Sequence, residues 1–326
     1  MKVDAVVIGA GPAGTAVATT LARAGARVIV ADRPRTRLPP PEAVASSAQL
    51  ALRALDMWDP FLAQGFERSP GKRVVWSHDT EFPSIVDAYG DAWLVDRLVL
   101  DAFLVEQTKH AGVAVFAGAC TNMKNSRGGW QLHFGSQVLC SDLLIMAHGR
   151  HAPGPGDSSR IRLDGDDSVA MVLVTELGSA DPRLLVERAQ AGWWYSVGLP
   201  SGRVAVALVV RPRDLPREAS GRREWWSQQL TATRTMPRVH SSAPLYFHSA
   251  HGSMRREIQG DTWCCVGDAA AAYDPLSGQG VAVSLTKGLA LGRLLSEHSP
   301  QSAFELYEAE ERASFDHYAR IRQSLN

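Results

Sequence analysis

Two glycine-rich stretches and the carboxylates beside them are the residues best equipped for chemistry in this sequence. Trp263 to Val266 reads as a short buried strand, followed by Gly267-Asp268, a run of small residues, Pro275, Gly278, Gln279 and Gly280, and then a long helix. Such a strand-to-helix turn presents free backbone N–H groups and the positive end of a helix dipole to an anionic or electron-rich ligand. Asp268 is the one carboxylate there placed to accept a hydrogen bond from a ligand hydroxyl. Close helix–sheet packing would account for Ala269 to Ala272, but it leaves Pro275, Gly278 and Gly280 unexplained. The other stretch is Gly9-Ala10-Gly11-Pro12-Ala13-Gly14, with Asp32 roughly 20 residues further on, the distance at which an acid meets a ribose.

These residues need particular elements to hold them. Asp4 to Gly9 is a continuous apolar run suited to a strand buried on both faces of a parallel sheet. The chain then turns into a helix that runs to about Ala24. Gly9 permits the tight turn, Gly11 lets the backbone approach a pyrophosphate, and Gly14 allows close helix–strand packing. A second strand, Arg27 to Ala31, delivers Asp32. Strand, glycines, helix and acid in register predict dinucleotide binding, but do not choose between a nicotinamide and a flavin, which share the adenosine diphosphate handle.

Bulk properties exclude other classes. With 326 residues, 45% apolar and 21% charged, the chain can bury a large core and is expected to have two lobes. Lys plus Arg and Asp plus Glu both number 34, so nothing draws the molecule toward nucleic acid or a membrane surface. No apolar run approaches the roughly 18 to 20 residues of a membrane span. A strand starting almost at Met1 leaves no room for a cleaved leader, so a cytoplasmic location is expected. Cys120, Cys140, Cys264 and Cys265 lack zinc-ligand spacing and read as reduced, buried thiols; no metal site is expected.

Gly9 to Gly14, Leu94-Val95-Asp96-Arg97, Ala147-His148-Gly149-Arg150 and Gly267-Asp268 through Gly280 occur in an order that resembles FAD monooxygenases, tryptophan halogenases and their relatives. The form Asp274-Pro275-Leu276-Ser277-Gly278-Gln279-Gly280 looks most like the subgroup that modifies tryptophan during maturation of quinone-cofactor enzymes. The resemblance implies an α/β fold: a Rossmann-like FAD-binding domain of the glutathione-reductase type, like group A monooxygenases, with an inserted β-sheet substrate domain. The FAD domain is expected to comprise 1–75, 93–155 and 255–326, and the substrate domain 76–92 and 156–254.

By the same resemblance, the backbone at Gly11, Pro12 and Ala13 meets the FAD pyrophosphate, Asp32 the adenosine ribose, and Arg97 the cofactor's phosphate or ribityl region, with Arg33 also binding the cofactor. Cys120 lies where the family's backbone approaches the adenine, and Asp268 binds the ribityl chain. Pro275, Gly278, Gln279 and Gly280 lie beside the pyrimidine edge of the flavin ring. The implied reaction is hydroxylation of an electron-rich aromatic substrate, such as an indole or tryptophan, free or peptide-borne. In it, reduced flavin captures O2 as a C4a-hydroperoxide, with electrons from NAD(P)H or a separate reductase.

The candidate proton carriers are Glu42, where the family has a Gly-Glu pair and this chain has Pro41-Glu42, and His78. Both also read as solvated loop residues. Lys72 does not match the halogenase lysine in context and reads as a loop residue, and His148, where relatives carry a smaller residue, reads as structural. Gly192-Trp193-Trp194-Tyr195 departs from the halogenase pattern at Tyr195, and strand alternation sends the three aromatics to both faces. The alternatives are flavin-dependent dehydrogenation or reduction, a halogenase-like enzyme, and a flavin-binding maturation partner.

Overall fold

The structure is a computed structural model that describes residues 2–34, 39–76, 81–82, 90–126, 129–150, 154–163, 166–240, 242–275 and 278–324. Its organising strand is Lys2–Ile8, in which Val3, Ala5, Val6 and Val7 are buried. Apolar side chains on both faces of a strand are stable only where both faces are covered. The strand is accordingly central, parallel to Val28–Asp32 on one side and Gln137–Met146 on the other. Ala114–Ala117 and Trp263–Cys265 extend the parallel sheet outward, and an antiparallel extension, Asn122–Ser126 and Gly129–Phe134, leans on Gln137–Met146.

The sequence predicts separate strands at Val138 to Cys140 and Leu143 to Ala147, yet Gln137–Met146 is one strand. The polar pair Ser141-Asp142 breaks the apolar pattern without breaking the backbone. Ser141 is buried opposite Trp130, and Asp142 points outward to Lys2 at 2.7 Å.

Helix α1 (Pro12–Arg23) starts with proline at its first turn, where the missing N–H has no intrahelical acceptor and the ring pre-sets φ. Helices α2 (Ala48–Ala54), α3 (Trp58–Leu62) and α4 (Arg97–His110) follow. Asp96 caps α4 by accepting from the Leu98 N–H at 2.8 Å. Between these helices, Glu42–Val44 and Glu67–Ser69 flank Ala92–Val95 in a three-stranded sheet.

The second large sheet runs in the order Leu245–Ser249, Val169–Glu176, Arg203–Val210, Gly192–Gly198, Leu184–Ala189, Lys72–Val75, Glu81–Phe82. Lys72–Val75 pairs in parallel with Leu184–Glu187, so the first crossing into this sheet precedes residue 76. Helix α5 (Arg222–Thr231) covers its outer face, where Trp226 donates to the Met171 carbonyl at 3.2 Å. Trp194 packs edge-on against Trp226 there, while Trp193 and Tyr195 face inward, as the expected alternation requires.

Helices α6 (Gly280–Glu297) and α7 (Pro300–Ser324) complete the first lobe. The crossing of α1 and α6 decides where the two glycine corners sit. A Cβ on Gly288 would lie 2.3 Å from the Ala13 carbonyl oxygen, and one on Gly292 would lie 2.6 Å from Thr20 Cβ. With glycine at both positions the helices approach closely, and the middle of α6 is drawn against the start of α1.

Candidate cofactor groove and substrate chamber

Gly9 has φ +110, and a Cβ there would lie 2.4 Å from the Ala147 carbonyl oxygen. A Cβ on Gly14 would lie 1.9 Å from the Gly9 carbonyl oxygen, so the helix can approach the strand only without one. At Gly11 nothing lies within 4 Å of a Cβ position. That residue faces open space, a groove of about 630 Å³ lined also by Gly9, Pro12, Ala13, Asp32 and Arg33.

The second corner arrives from the other side. Gly267 has φ +64, and a Cβ there would lie 2.7 Å from Ala13 Cβ, so the two corners are in contact. Asp268 reaches both the groove and an adjoining chamber of about 700 Å³. Arg150 Nε is 3.8 Å from its carboxylate; the other guanidinium nitrogens donate to the His251 and Tyr273 carbonyls at 2.7 and 2.9 Å. Beyond Asp268, Pro275, Gly278 (φ +60), Gln279 and Gly280 line the chamber, and Gly280 opens α6 with no atom within 4 Å of its Cβ position. The positive end of an 18-residue helix therefore faces the junction of the two cavities.

Groove and chamber share walls at Glu42, Val172, His248, Asp268, Gly280 and Ser284. Arg97, at the start of α4, is held between two carboxylates: Nη1 meets Glu42 at 2.7 Å and Nη2 meets Asp101 at 3.1 Å. Burial opposes its charge, but Glu42 and Asp101 more than offset this and hold its pKa above the ordinary arginine value. Asp96 takes Arg203 Nη1 at 2.6 Å, and Nη2 of Arg203 donates to the Pro39 carbonyl at 2.7 Å, which ties the segment before Glu42 to the second sheet.

The chamber wall is apolar and aromatic. Leu184, Val186, Val197 and Ala170 surround Trp193 and Tyr195, whose rings are 5.6 Å apart and tilted by 36°. Burial and the nearby Glu42 carboxylate both push the Tyr195 phenol above its usual pKa, so it stays a neutral hydroxyl. His148 lines the groove with its pKa lowered to about 4, by burial first and then by the positive Arg255 and Arg160.

The structure thus brings together Gly9, Gly11, Pro12, Ala13, Asp32, Arg33, Arg97, Glu42, Asp268 and Gly280 along the groove, with Gly267, Pro275, Gly278 and Gln279 around the chamber. Gly14 lies behind them at the helix–strand contact. Cys120 lines neither cavity; its Sγ is 3.4 Å from the Asn122 carbonyl. The chain is pinned beside Asp32 earlier, where the Gly118 N–H donates to the Asp32 carbonyl at 2.8 Å, and it has left the groove by Cys120. His78 and its neighbour Asp79 lie outside the described residues.

Lys72 is a strand residue rather than a loop residue, and its Nζ lies 3.8 Å from where a Cβ on Gly278 would be. Sequence reasoning missed the helix-side wall of the chamber: Asp274, Lys287, Glu311, Ser314 and Tyr318. The available signal was a lysine four residues after Val283, in the largely apolar first half of the helix.

This geometry fits FAD: two backbone cradles that only glycine permits, a carboxylate at each, and a groove and chamber that share walls between them. The comparisons with known proteins agree. Residues 2–119 match the model of an FAD-binding domain family. Over 324 residues the chain is 27% identical to LodB of Marinomonas mediterranea, described as an FAD-dependent oxidoreductase, covering 93% of this chain and 87% of that one. The solved structure of the peptidyl tryptophan dihydroxylase QhpG superposes with a TM-score of 0.83 at 27% identity, covering 98% of this chain and 74% of that one. Menaquinone reductase of Mycobacterium tuberculosis is 30% identical over 332 residues, covering 90% of this chain and 76% of its own length. Glycine corners, shared cavity and relatives lead to one conclusion: the chain belongs to the family of FAD-dependent oxidoreductases.

Proposed function

We propose that this protein is an FAD-dependent monooxygenase that hydroxylates an electron-rich aromatic ring, the indole of a free or peptide-borne tryptophan. The observation that carries this reading is the aromatic and aliphatic wall of Trp193, Tyr195, Leu184 and Val186 in the same chamber that Pro275, Gly278, Gln279 and Gly280 line. Reduced FAD supplies the activation of O2, with electrons from NAD(P)H or a separate reductase. The likeness to QhpG, a peptidyl tryptophan dihydroxylase, supports the substrate class.

In this reading the chain's residues hold, orient and dry the site. Backbone N–H groups at Gly11, Pro12 and Ala13 and the start of α1 hold the pyrophosphate, and Asp32 and Asp268 take the ribose and ribityl hydroxyls. Arg33 flanks the phosphates. Arg97 fixes the Glu42 carboxylate at 2.7 Å in the wall that both cavities share, where it can accept a hydrogen bond near the reacting ring. The start of α6 stabilises negative charge at the ring end by about 0.3–2 kcal/mol. Trp193 and Tyr195 stack and orient the substrate ring, and the aliphatic side chains keep water out.

The test is incubation of the FAD-loaded, reduced protein with 18O2 and a panel of free tryptophan and tryptophan peptides, read by mass spectrometry. A product carrying one labelled oxygen atom is expected. A product that gains no oxygen from O2 would instead establish dehydrogenation or reduction, the second reading, which the 30% identity with menaquinone reductase favours.

A further inference from the structure

One stripe of α7 breaks the pattern expected of a helix packed on a core. Glu311, Ser314, Tyr318 and Arg322 recur at three- and four-residue spacing along one face; the first three line the chamber and Arg322 pairs with Asp274. Buried polar groups cost stability unless paired, and apolar replacements of the same volume are often as stable or more so. A paired polar stripe holds its partners at fixed angles and distances, which apolar packing does not.

The partners are two, and they bracket the ring-end corner. On one side Asp274, immediately before Pro275 and 5% exposed, accepts from Tyr318 Oη at 2.7 Å and meets Arg322 Nε at 2.8 Å. The Tyr318 ring stands edge-on to Tyr273, with centroids 5.0 Å apart, and packs where Gly252 leaves room; a Cβ on Gly252 would lie 2.5 Å from it. On the other side Lys287, in the second turn of α6, meets Glu311 at 2.5 Å and Ser314 at 3.1 Å. Between these two anchor points lie Pro275, Gly278, Gln279 and Gly280, which line the chamber.

We propose that α7 positions the flavin-ring end of the cofactor site, with Tyr318 and Arg322 acting through Asp274, and Glu311 acting through Lys287, to fix Pro275 and the Gly278, Gln279 and Gly280 backbone in place. The proposal rests on the assignment of that corner to the ring end of FAD. It makes Tyr318, Arg322 and Glu311 positioning residues: they act through the corner, and none of them lines the groove beside Gly11 and Asp32.

That division supplies the experiment. Dissociation constants for FAD, by quenching of flavin fluorescence, and for ADP, by calorimetry, are measured on the full chain and on Tyr318→Phe and Arg322→Gln, with Arg322→Lys as the conservative rescue. Loss of one charge-assisted hydrogen bond at Asp274 is expected to weaken FAD about tenfold while ADP affinity stays unchanged. The visible flavin band and the midpoint potential should shift in the same variants, and Arg322→Lys should recover part of the loss. FAD and ADP affinities that fall in parallel, or neither changing, overturn the proposal. If Tyr318→Phe fails to fold, Arg322→Gln with its rescue decides alone. A native protein that binds FAD but oxygenates no substrate sinks the monooxygenase reading and leaves this test standing, whereas one that binds ADP but not FAD sinks both.

Discussion

At the scale of single residues, His148 shows how its surroundings fix a charge state. It lines the groove with Nδ1 3.0 Å from the Gly149 carbonyl, and its Nε2 has no hydrogen-bond partner among the described residues. Burial, then Arg255 and Arg160, lower its pKa from 6.5 to about 4. In that window the unfolded chain binds a proton that the folded protein does not, so stability falls as pH drops from 6.5 toward 4, by an amount on the order of 3 kcal/mol. Denaturant titrations of the cofactor-free protein at several pH values check this, and His148→Gln should flatten the slope in that range. The position reads in the sequence only as a substitution for a smaller residue; its neighbours come from 255 and 160, far along the chain. Gly9 and Gly14 are legible for the opposite reason, since a positive φ at one and a 1.9 Å approach at the other leave one residue type possible.

At the scale of elements, the crossing of α1 and α6 carries the site. Gly288 and Gly292 allow the helices to touch, and Gly288→Val would push a side chain into the Ala13 carbonyl, 2.3 Å from its Cβ. Destabilisation of about 2–4 kcal/mol is expected, with FAD affinity falling further than stability, because Ala13 belongs to the first corner. Chemical denaturation and flavin titration of the same variant measure both. The strand–turn–helix units around the glycines were readable because each packs locally with a regular period. The inward stripe of α7 was not, because Glu311, Tyr318 and Arg322 in a charged helix look the same in sequence as a solvated face, and their partners Asp274 and Lys287 lie on other elements. The same limit split Gln137–Met146 in two: the polarity of Ser141 and Asp142 is visible, but that Trp130 faces the one and Lys2 pairs with the other is not.

At the scale of the whole molecule, the groove belongs to both lobes. Val172 and His248 come from the second sheet, while Gly11 and Asp32 come from the first. A ligand filling that groove stabilises both, by about 2.7 kcal/mol at a concentration one hundred times its dissociation constant. Hydrogen exchange with and without FAD should therefore show slower exchange in Val169–Glu176 as well as in Lys2–Ile8. Slowing confined to the first strand would mean that the lobes do not share the cofactor.

The contact between Gly267 and Ala13 also has a meaning for biosynthesis. As the chain leaves the ribosome, the first glycine corner emerges well before the other, and the Trp263–Cys265 strand that carries the latter must add to a sheet whose edge along Leu144–Met146 has stayed unpaired meanwhile. On the proposed assignment, in which the first corner takes the adenosine half of the coenzyme and the second the flavin half, the ring end cannot be gripped until the second corner has joined the first. Loading with intact FAD is therefore a late event, and the newly made apoprotein is most exposed to aggregation along that waiting edge.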